Sequence, residues 1–392
     1  MKSDEFSGLS PMLDGIEPIT IEEREARIGK ARRLMAENNL DAIYLEGGAT
    51  LRYYTGVDWG RSERMTAAIV PARGEIAYVC PAFEEARLRE MLLFGDDVRV
   101  WQEHESPFAR VAEILADHGM ANGRIGFEET VRFFLFDGIR RAAPKIEISS
   151  ADPVTIPCRG IKSAAEIALI QRAMEITVEA YKTCIAHLHE GMSQAEFAEL
   201  AVTSHKALGV EGHISVQFGE TTAYPHGSKR MTFLKEGNVV LMDGGCTVEG
   251  YHSDISRTIV FGEPTDRQRE IWNLEQRAQA GAFAAARIGA PMESIDAAAR
   301  KVIVDAGFGP GYEVPGLPHR TGHGIGLDVH EHYNVVRGNT IPLAPGMCFS
   351  NEPMIAIYGE FGVRLEDCIY MTEEGPRYFT EPSPSIDRPF AP

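Results

Sequence analysis

Acidic residues and a histidine recur beside glycines in four short segments of the second half of the chain. Asp243 follows the apolar run Val239–Met242 and precedes Gly244-Gly245, and Asp254 follows Gly250-Tyr251-His252-Ser253. In Thr321-Gly322-His323-Gly324 the flanking glycines let backbone come close to whatever the imidazole binds. Glu352 stands in Asn351-Glu352-Pro353, and Glu366 in the alternating stretch Val363-Arg364-Leu365-Glu366. Buried carboxylates are costly unless paired or bound to a cation. Four of them with one histidine make a hard, oxygen-rich set suited to two divalent cations, Mn²⁺ first, with Co²⁺, Zn²⁺ and Fe²⁺ as competitors. Two such cations roughly 3.5–4 Å apart share a water, lower its pKa and polarise a carbonyl. Singly, each residue has an ordinary use: Asp-Gly in a turn, Glu-Pro at a strand boundary, a histidine satisfied in the core. On residue types alone, the set reads either as a metal centre or as five separate structural residues. It is not a zincin site, because Asn334 stands where His330-Glu331 would need a second histidine.

These residues need elements to hold them. Asp243 is expected to end one strand and Asp254 to begin the next, with a turn at Gly250 bringing both to one end of a sheet. Strands are expected around Val239–Met242 and Ser256–Phe261, and helices over Arg267–Ile288 and Met292–Ala306, which suggests an α+β domain. Ser163-Ala164-Ala165-Glu166 is a capping box opening a helix through about His187. Upstream, Thr20-Ile21-Glu22-Glu23 opens another, to about Glu37. Apolar runs at Asp41–Leu45, Ala67–Val70, Glu75–Val79, Asp97–Trp101 and Arg124–Glu128 then alternate with helical patterns at Ala82–Met91, Pro107–His118 and Val131–Ala142. That alternation predicts an α/β layer domain. Neither GxGxxG nor GxxxxGK[ST] occurs in it, so no nucleotide is indicated. A break around Ser149–Pro157 divides the chain into an α/β domain over 1–155 and an α+β domain over 156–392.

Composition bounds the partners. The chain has 392 residues, more than one core usually uses. A formal charge of −18 with no basic stripe disfavours nucleic acid. No stretch approaches the roughly 20 apolar residues that cross a bilayer, and MKSDEFSGLSPM lacks the apolar segment of a signal peptide. A cytoplasmic protein without membrane contact is expected. The six cysteines form no CxxC pair, so reduced, buried thiols are expected.

The whole set, in order, resembles the pita-bread metallopeptidases, the group of methionine aminopeptidase, aminopeptidase P and prolidase. Their signature has two aspartates eleven residues apart, a histidine, then two glutamates fourteen apart, as are Asp243 and Asp254, His323, and Glu352 and Glu366. Leu51-Arg52-Tyr53-Tyr54-Thr55-Gly56 is similar to the creatinase/prolidase-type first domain, which methionine aminopeptidases lack, and Arg159-Gly160-Ile161-Lys162-Ser163 to its junction. The resemblance covers nearly all the chain. It implies an α/β creatinase-like domain followed by an α+β pita-bread catalytic domain, a similarity greatest to the bacterial Xaa-Pro dipeptidases (prolidases), and a homodimer in which Tyr53, Tyr54 and Trp59 approach the partner's site or pack in the core.

The resemblance also implies roles. Asp243 would hold one metal, His323 with Glu352 the other, and Asp254 and Glu366 would bridge both. Glu352 would act as general base. His226 in Tyr224-Pro225-His226-Gly227, His319 and His330 match substrate-side histidines, with His226 and His330 steadying the scissile carbonyl and the oxyanion. Arg364 would orient Glu366 or a neighbouring acid. One position departs from the pattern. Prolidases often carry an arginine four residues past the second histidine to clamp the dipeptide carboxylate, and here that residue is Asn334, with Arg337 or Tyr333 as the expected substitutes. The implied reaction is hydrolysis of the bond before proline in Xaa-Pro dipeptides. The alternatives are aminopeptidase P action on longer peptides, hydrolysis of a small non-peptide amide as in creatinase, and a non-catalytic binding module on the same fold.

Overall fold

The computed structural model describes residue 6 and residues 8–390. The chain divides into two compact units, one over 19–159 and one over 160–390 together with the described part of the first 18 residues.

The first unit is built on a six-stranded sheet: β1 (Ala42–Glu46), β2 (Ala67–Pro71), β3 (Ala77–Pro81), β4 (Asp97–Trp101), β5 (Arg124–Phe127) and β6 (Glu147–Ser150). Their order is β4-β3-β2-β1-β5-β6, with β1–β2 and β2–β3 antiparallel and the other pairs parallel. β1, β2 and β3 are buried throughout, as strands covered on both faces must be, and so read as continuous apolar runs. Helices Pro107–Asp117 and Phe133–Ala142 pack Val111, Ile114, Leu115, Leu135 and Ile139 into this core. The expected layer architecture is therefore present.

Three local expectations differ. The stretch expected as one helix from Ala82 is a short 3-10 turn, Ala82–Glu84, followed by helix Glu85–Met91. The expected break at 149–157 is β6 and then helix Asp152–Gly160. Pro153 lies in the first turn of that helix, where no N–H is needed, so only Pro157 costs a helical hydrogen bond. The compact units accordingly part at 159/160 instead of 155/156. Helix Ile21–Glu37 has the expected cap, since the Thr20 hydroxyl accepts from the Glu23 N–H at 3.2 Å.

The second unit carries β7 (Gly212–Phe218), β8 (Val239–Val248), β9 (Tyr251–His252) and β10 (Ile255–Val260) in the order β10-β8-β7, with β9 on β8. A five-stranded sheet has the order β12-β11-β13-β16-β17, from β11 (Gly322–Gly324), β12 (Glu331–Val335), β13 (Cys348–Asn351), β16 (Asp367–Thr372) and β17 (Gly375–Tyr378). β14 (Met354–Ile357) and β15 (Phe361–Arg364) form a hairpin between β13 and β16. An isolated bridge, Ser256 to Glu366, ties the two larger sheets together. Helices Ala164–Ala186, Gln194–Ala207, Asp266–Ala285 and Glu293–Asp305 complete the α+β unit. The full capping box at Ser163 and Glu166 is present. Trp272, Ile271, Ile295 and Ile303 from two of the helices share one core with Phe349, Ile355 and Ile369 from the strands.

Asp243 does not end a strand, as expected, but lies inside β8. The two glycines after it do not interrupt pairing; they permit it. A Cβ at Gly244 would collide with the His213 carbonyl, and one at Gly245 with the Ser253 carbonyl. The β8–β9 hairpin closes through Glu249 and Gly250, both at positive φ (49° and 81°), as two-residue hairpin turns require.

All six cysteines are free and buried. Among the described residues, no helix is long and apolar enough to cross a membrane.

Candidate metal centre and active site

Two strands and three strand junctions bring the acidic set together. On β8, Asp243 faces Ser256 of β10 on one side and Ser215 of β7 on the other. Asp254 precedes β10, His323 is the middle residue of β11, Glu352 follows β13, and Glu366 lies between β15 and β16. His323 Nε2 is 3.1 Å from Glu352 Oε1 and 3.6 Å from Asp254 Oδ2. Its Nδ1 lies 3.1 Å from the Gly324 carbonyl. Donation there leaves Nε2 with a lone pair for a cation.

The donor atoms fall into overlapping groups, each within 4.8 Å: Asp243, Asp254 and Glu366; His323, Glu352 and Glu366; Asp254, His323 and His330. Asp243 and Glu352 never share a group. Glu366 belongs with both, and Asp254 groups with Asp243 as well as with His323. Glu366 Oε1 is buried without a hydrogen-bond partner among the described residues. A buried carboxylate oxygen left unpaired is what a cation ligand looks like before the cation is counted.

The electrostatics agree. Burial, then the charges of Asp243 and Glu352, push Asp254 up to about 8 against the pull of His323. Burial, with Asp254, Glu352 and Asp243, drives Glu366 well above the usual carboxylate range. Burial alone would raise Glu352 too, but the His323 hydrogen bond and the charges of His323, His319 and Arg364 hold it low. Burial would lower His323, yet Glu352 and Asp254 raise it. The cluster thus gathers more negative charge than it can keep ionised, and protons fill the place that divalent cations suit.

Around this centre, Arg364 Nη2 pairs with Asp243 Oδ2 at 2.7 Å, while Nη1 donates to the Pro225 carbonyl at 3.0 Å. Arg364 Nε donates to Ser256 Oγ at 3.0 Å, and that hydroxyl lies 2.7 Å from Glu366 Oε2 and 3.0 Å from Asp243 Oδ1. Arg364 therefore grips Asp243 directly and reaches Glu366 only through Ser256. Ser350 plays the matching part opposite: it accepts from the His323 N–H at 2.9 Å and donates to Glu352 Oε1 at 3.0 Å. Neither serine was marked by sequence reasoning, because their value comes from cross-strand register. A further signal was available in His213-Ile214-Ser215-Val216-Gln217-Phe218. Its polar–apolar alternation marks a half-buried strand, now β7, whose His213 and Ser215 line the cavity.

The cavity over the centre has a volume of about 540 Å³. The five expected metal ligands, His226, His330 and Arg364 all line it. His330 stacks edge-on against His323 with ring centroids 4.1 Å apart, and burial, then the His323 and Arg320 charges, lower its pKa. His319 is set back: its Nδ1 meets the Arg320 carbonyl at 2.7 Å, its Nε2 is buried without a partner among the described residues, and burial holds it below the ordinary histidine range.

The three residues expected to receive the substrate carboxylate are elsewhere. None of Tyr333, Asn334 and Arg337 lines the cavity. Tyr333 packs its ring so close to Gly160 that a Cβ there would collide with it. Asn334 accepts a hydrogen bond from Arg320 Nη1 at 2.6 Å. Arg337 is exposed and lines a separate groove with Pro310, Gly311, Tyr312 and Glu313.

Comparison with known proteins adds to this geometry. Residues 168–373 match the description "Metallopeptidase family M24", and residues 27–161 match "Creatinase/Prolidase N-terminal domain". The chain is 31% identical over 367 residues to the Xaa-Pro dipeptidase of Lactobacillus delbrueckii subsp. lactis, covering 92% of this chain and 98% of that protein. Its fold is similar to that of dipeptidase PepE from Mycobacterium ulcerans (TM-score 0.85, 31% identity, 93% of this chain and 97% of that one). It is similar also to the prolidase from Thermococcus sibiricus (TM-score 0.84, 29% identity, 91% and 97%).

Proposed function

Since the chain belongs to metallopeptidase family M24 and carries a creatinase/prolidase N-terminal domain, we propose that it hydrolyses the peptide bond before proline in Xaa-Pro dipeptides. The observation that carries the reading is the five-residue acidic set closing on one cavity, with Glu366 and Asp254 each shared between groups.

Asp243 would hold one divalent cation, His323 and Glu352 the other, and Asp254 and Glu366 would bridge them. When bound, the pair supplies a Lewis acid and a water of lowered pKa at the scissile carbonyl. The oxygen-rich donor set suits Mn²⁺. Glu352, kept ionised by His323, is positioned to accept the proton of the attacking water and pass it to the leaving imino nitrogen of proline. His226 and His330 present imidazole N–H groups from the cavity wall to the carbonyl oxygen and to the oxyanion that replaces it. Burial, with the His323 and Arg320 charges, lowers His330 and so favours the imidazole that donates a hydrogen bond without adding charge. Arg364 acts through other groups, fixing Asp243 directly and Glu366 by way of Ser256. A cytoplasmic homodimer belongs to the same reading and rests on the resemblance.

A second reading, cleavage of the same bond at the N-terminus of longer peptides, is favoured by one observation: Asn334 and the outlying Arg337 leave no arginine at the expected clamp. The test is a panel of Xaa-Pro dipeptides, Xaa-Pro-Yaa tripeptides and creatine with the Mn²⁺-loaded protein. Fastest turnover on the dipeptides is expected. Faster turnover on the tripeptides establishes the second reading, and turnover of creatine alone removes both.

A further inference from the structure

An Xaa-Pro dipeptide brings a carboxylate to within one residue of the scissile bond, and the cavity already gathers five carboxylates, the four of the acidic set and Glu211. The substrate therefore needs a cation with hydrogen bonds still to give. The nearby cations are mostly committed. Arg364 is spent on Asp243, Ser256 and Pro225, and buried Arg300 on Asp296 and the carbonyls of Gly311, Leu317 and His319. Lys162 is buried against Glu331 at 2.9 Å.

Arg320 is different. It lies between His319 and Thr321, three residues ahead of His323, and is half-buried; it stands behind the cavity wall, near enough that its charge acts on His330, which lines the cavity. Thr321 N–H donates to the Val335 carbonyl at 3.0 Å, and Gly322 pairs with Val335 across β11 and β12. The Arg320 side chain reaches across to β12, where its Nη1 donates to Asn334 Oδ1 at 2.6 Å. Among the described residues, Arg320 forms no ion pair with any carboxylate. A guanidinium has five N–H donors, and one hydrogen bond to a neutral amide leaves most of them, and the whole charge, unanswered.

We propose that Arg320 is the specificity-determining residue that binds the C-terminal carboxylate of the dipeptide, with Asn334 holding its guanidinium in place. The inference rests on the Xaa-Pro reading above. An arginine at 334 would face Arg320 as a like charge, whereas an asparagine offers it an acceptor, so the clamp has moved across the strand pair instead of being lost. Planar two-point recognition of a carboxylate is what a fork-shaped guanidinium does best. It also selects length, because one more residue carries the carboxylate about 3.3–3.6 Å farther away.

The test compares an Xaa-Pro dipeptide with its C-terminal carboxamide, in the Mn²⁺-loaded wild type and in Arg320→Ala and Arg320→Gln; the glutamine can still donate to Asn334. KM for the acid is expected to rise about tenfold or more in both variants, in line with loss of a charged pair, while KM for the carboxamide moves less than about twofold. Adding Asn334→Arg to Arg320→Ala should lower KM for the acid again. Equal changes for acid and carboxamide, no change for either, or an equal rise in Arg337→Ala overturns the assignment of Arg320 while leaving the Xaa-Pro reading intact. A wild type that leaves Xaa-Pro dipeptides uncut overturns both.

Discussion

The two compact units handle buried charge in opposite ways. In the unit over 19–159, the buried charged groups are few and held in small local contacts. Glu46 accepts from Arg132 Nε at 2.5 Å and Glu128 from Thr50 at 2.6 Å, while Arg27 lies over the Tyr53 ring and donates to its carbonyl. The unit over 160–390 buries charge in connected sets. Arg257 and Asp367, both fully buried, pair at 2.7 Å; Arg257 Nη1 donates to the Glu366 carbonyl, and Gln279 and Thr380 donate to Asp367. Asp296 and Arg300 pair at 2.8 Å, and Asp296 also accepts from Thr321. The first set holds the Glu366 carbonyl, and the second holds the Thr321 hydroxyl two residues ahead of His323. Apolar burial is enough to hold a layer domain together, whereas directing five side chains at one point takes directional contacts, which the second unit obtains by burying ions.

The widest gap between the units should appear on substituting the acidic centre. Asp254→Asn or His323→Ala should take hydrolysis to background while circular dichroism stays native. Full turnover after exhaustive chelation, with metal content confirmed as nil, would refute the metal reading. Next, Arg257→Met should cost about 3–5 kcal/mol, since it strands the buried Asp367 carboxylate. Arg257→Met with Asp367→Leu should recover most of that. Trp272 reports on this unit by fluorescence once Trp59 and Trp101 are changed to phenylalanine. A double variant no better than the single one would show that Asp367 is not the group stranded. His330→Ala should lower kcat about 10²–10³-fold, as removal of an oxyanion donor does, yet leave two metals per chain by elemental analysis. Loss of a metal would instead move His330 into the ligand set with Asp254 and His323.

The same contrast explains what could be read from the sequence. Asp243, Asp254, His323, Glu352 and Glu366 were legible because each sits in a short segment beside glycine, proline or alternating apolar residues, with spacing fixed by the fold. The layered first unit was legible because β1, β2 and β3 are unbroken apolar runs. Partnerships across strands were not. Ser256 and Ser350 look ordinary until register sets them beside Asp243, Glu366 and Glu352. Arg337 was the expected clamp by sequence distance, but the chain carries it out to a groove with Tyr312, while Arg320, fourteen residues ahead of Asn334, reaches it by a side-chain hydrogen bond that no sequence spacing marks. Proline misled as well: Pro153 and Pro157 suggest a linker, yet one is harmless in a first turn and the other is tolerated within the helix.

Acidity should separate metal-free from metal-loaded protein by a smaller margin. Asp254 is raised from 3.8 to about 8, and Glu366 is raised too, so the folded metal-free protein holds protons that the unfolded chain releases. Stability from such groups is complete below their unfolded pKa and is lost as pH climbs through the folded one. His323, also raised, acts in the same direction above 6.5. Glu352, lowered, gives a contribution already complete above 4.5 and so flat across this range. The Tm of the chelated protein should therefore fall between about pH 5 and 8, and the gain on adding Mn²⁺ should widen over the same interval, since cations replace those protons. A gain independent of pH would mean that the carboxylates are ionised without metal.

The smallest expected effect sets one helix cap of each unit against the other. The Ser163 hydroxyl accepts from the Glu166 N–H at 3.2 Å, and Glu166 Oε2 accepts from the Ser163 N–H at 2.9 Å, so both halves of the capping box are made. Glu166 Oε1 also accepts from the Tyr251 hydroxyl at 3.0 Å, which ties the cap to the hairpin carrying Asp254. At Thr20 the hydroxyl accepts from Glu23 N–H, but the Glu23 carboxylate accepts from Arg27 at 2.6 Å, and the contact is exposed. An N-cap hydroxyl is worth about 1 kcal/mol, more when its surroundings are fixed and less where water can replace it. Ser163→Ala should thus cost about 1–2 kcal/mol and Thr20→Ala about 0.5 kcal/mol. Native-state hydrogen exchange at the Glu166 and Glu23 amides reads each cap within its own unit, so the two need not unfold together. Equal acceleration at both amides would show that the reciprocal bond and the Tyr251 contact add nothing to a single hydroxyl.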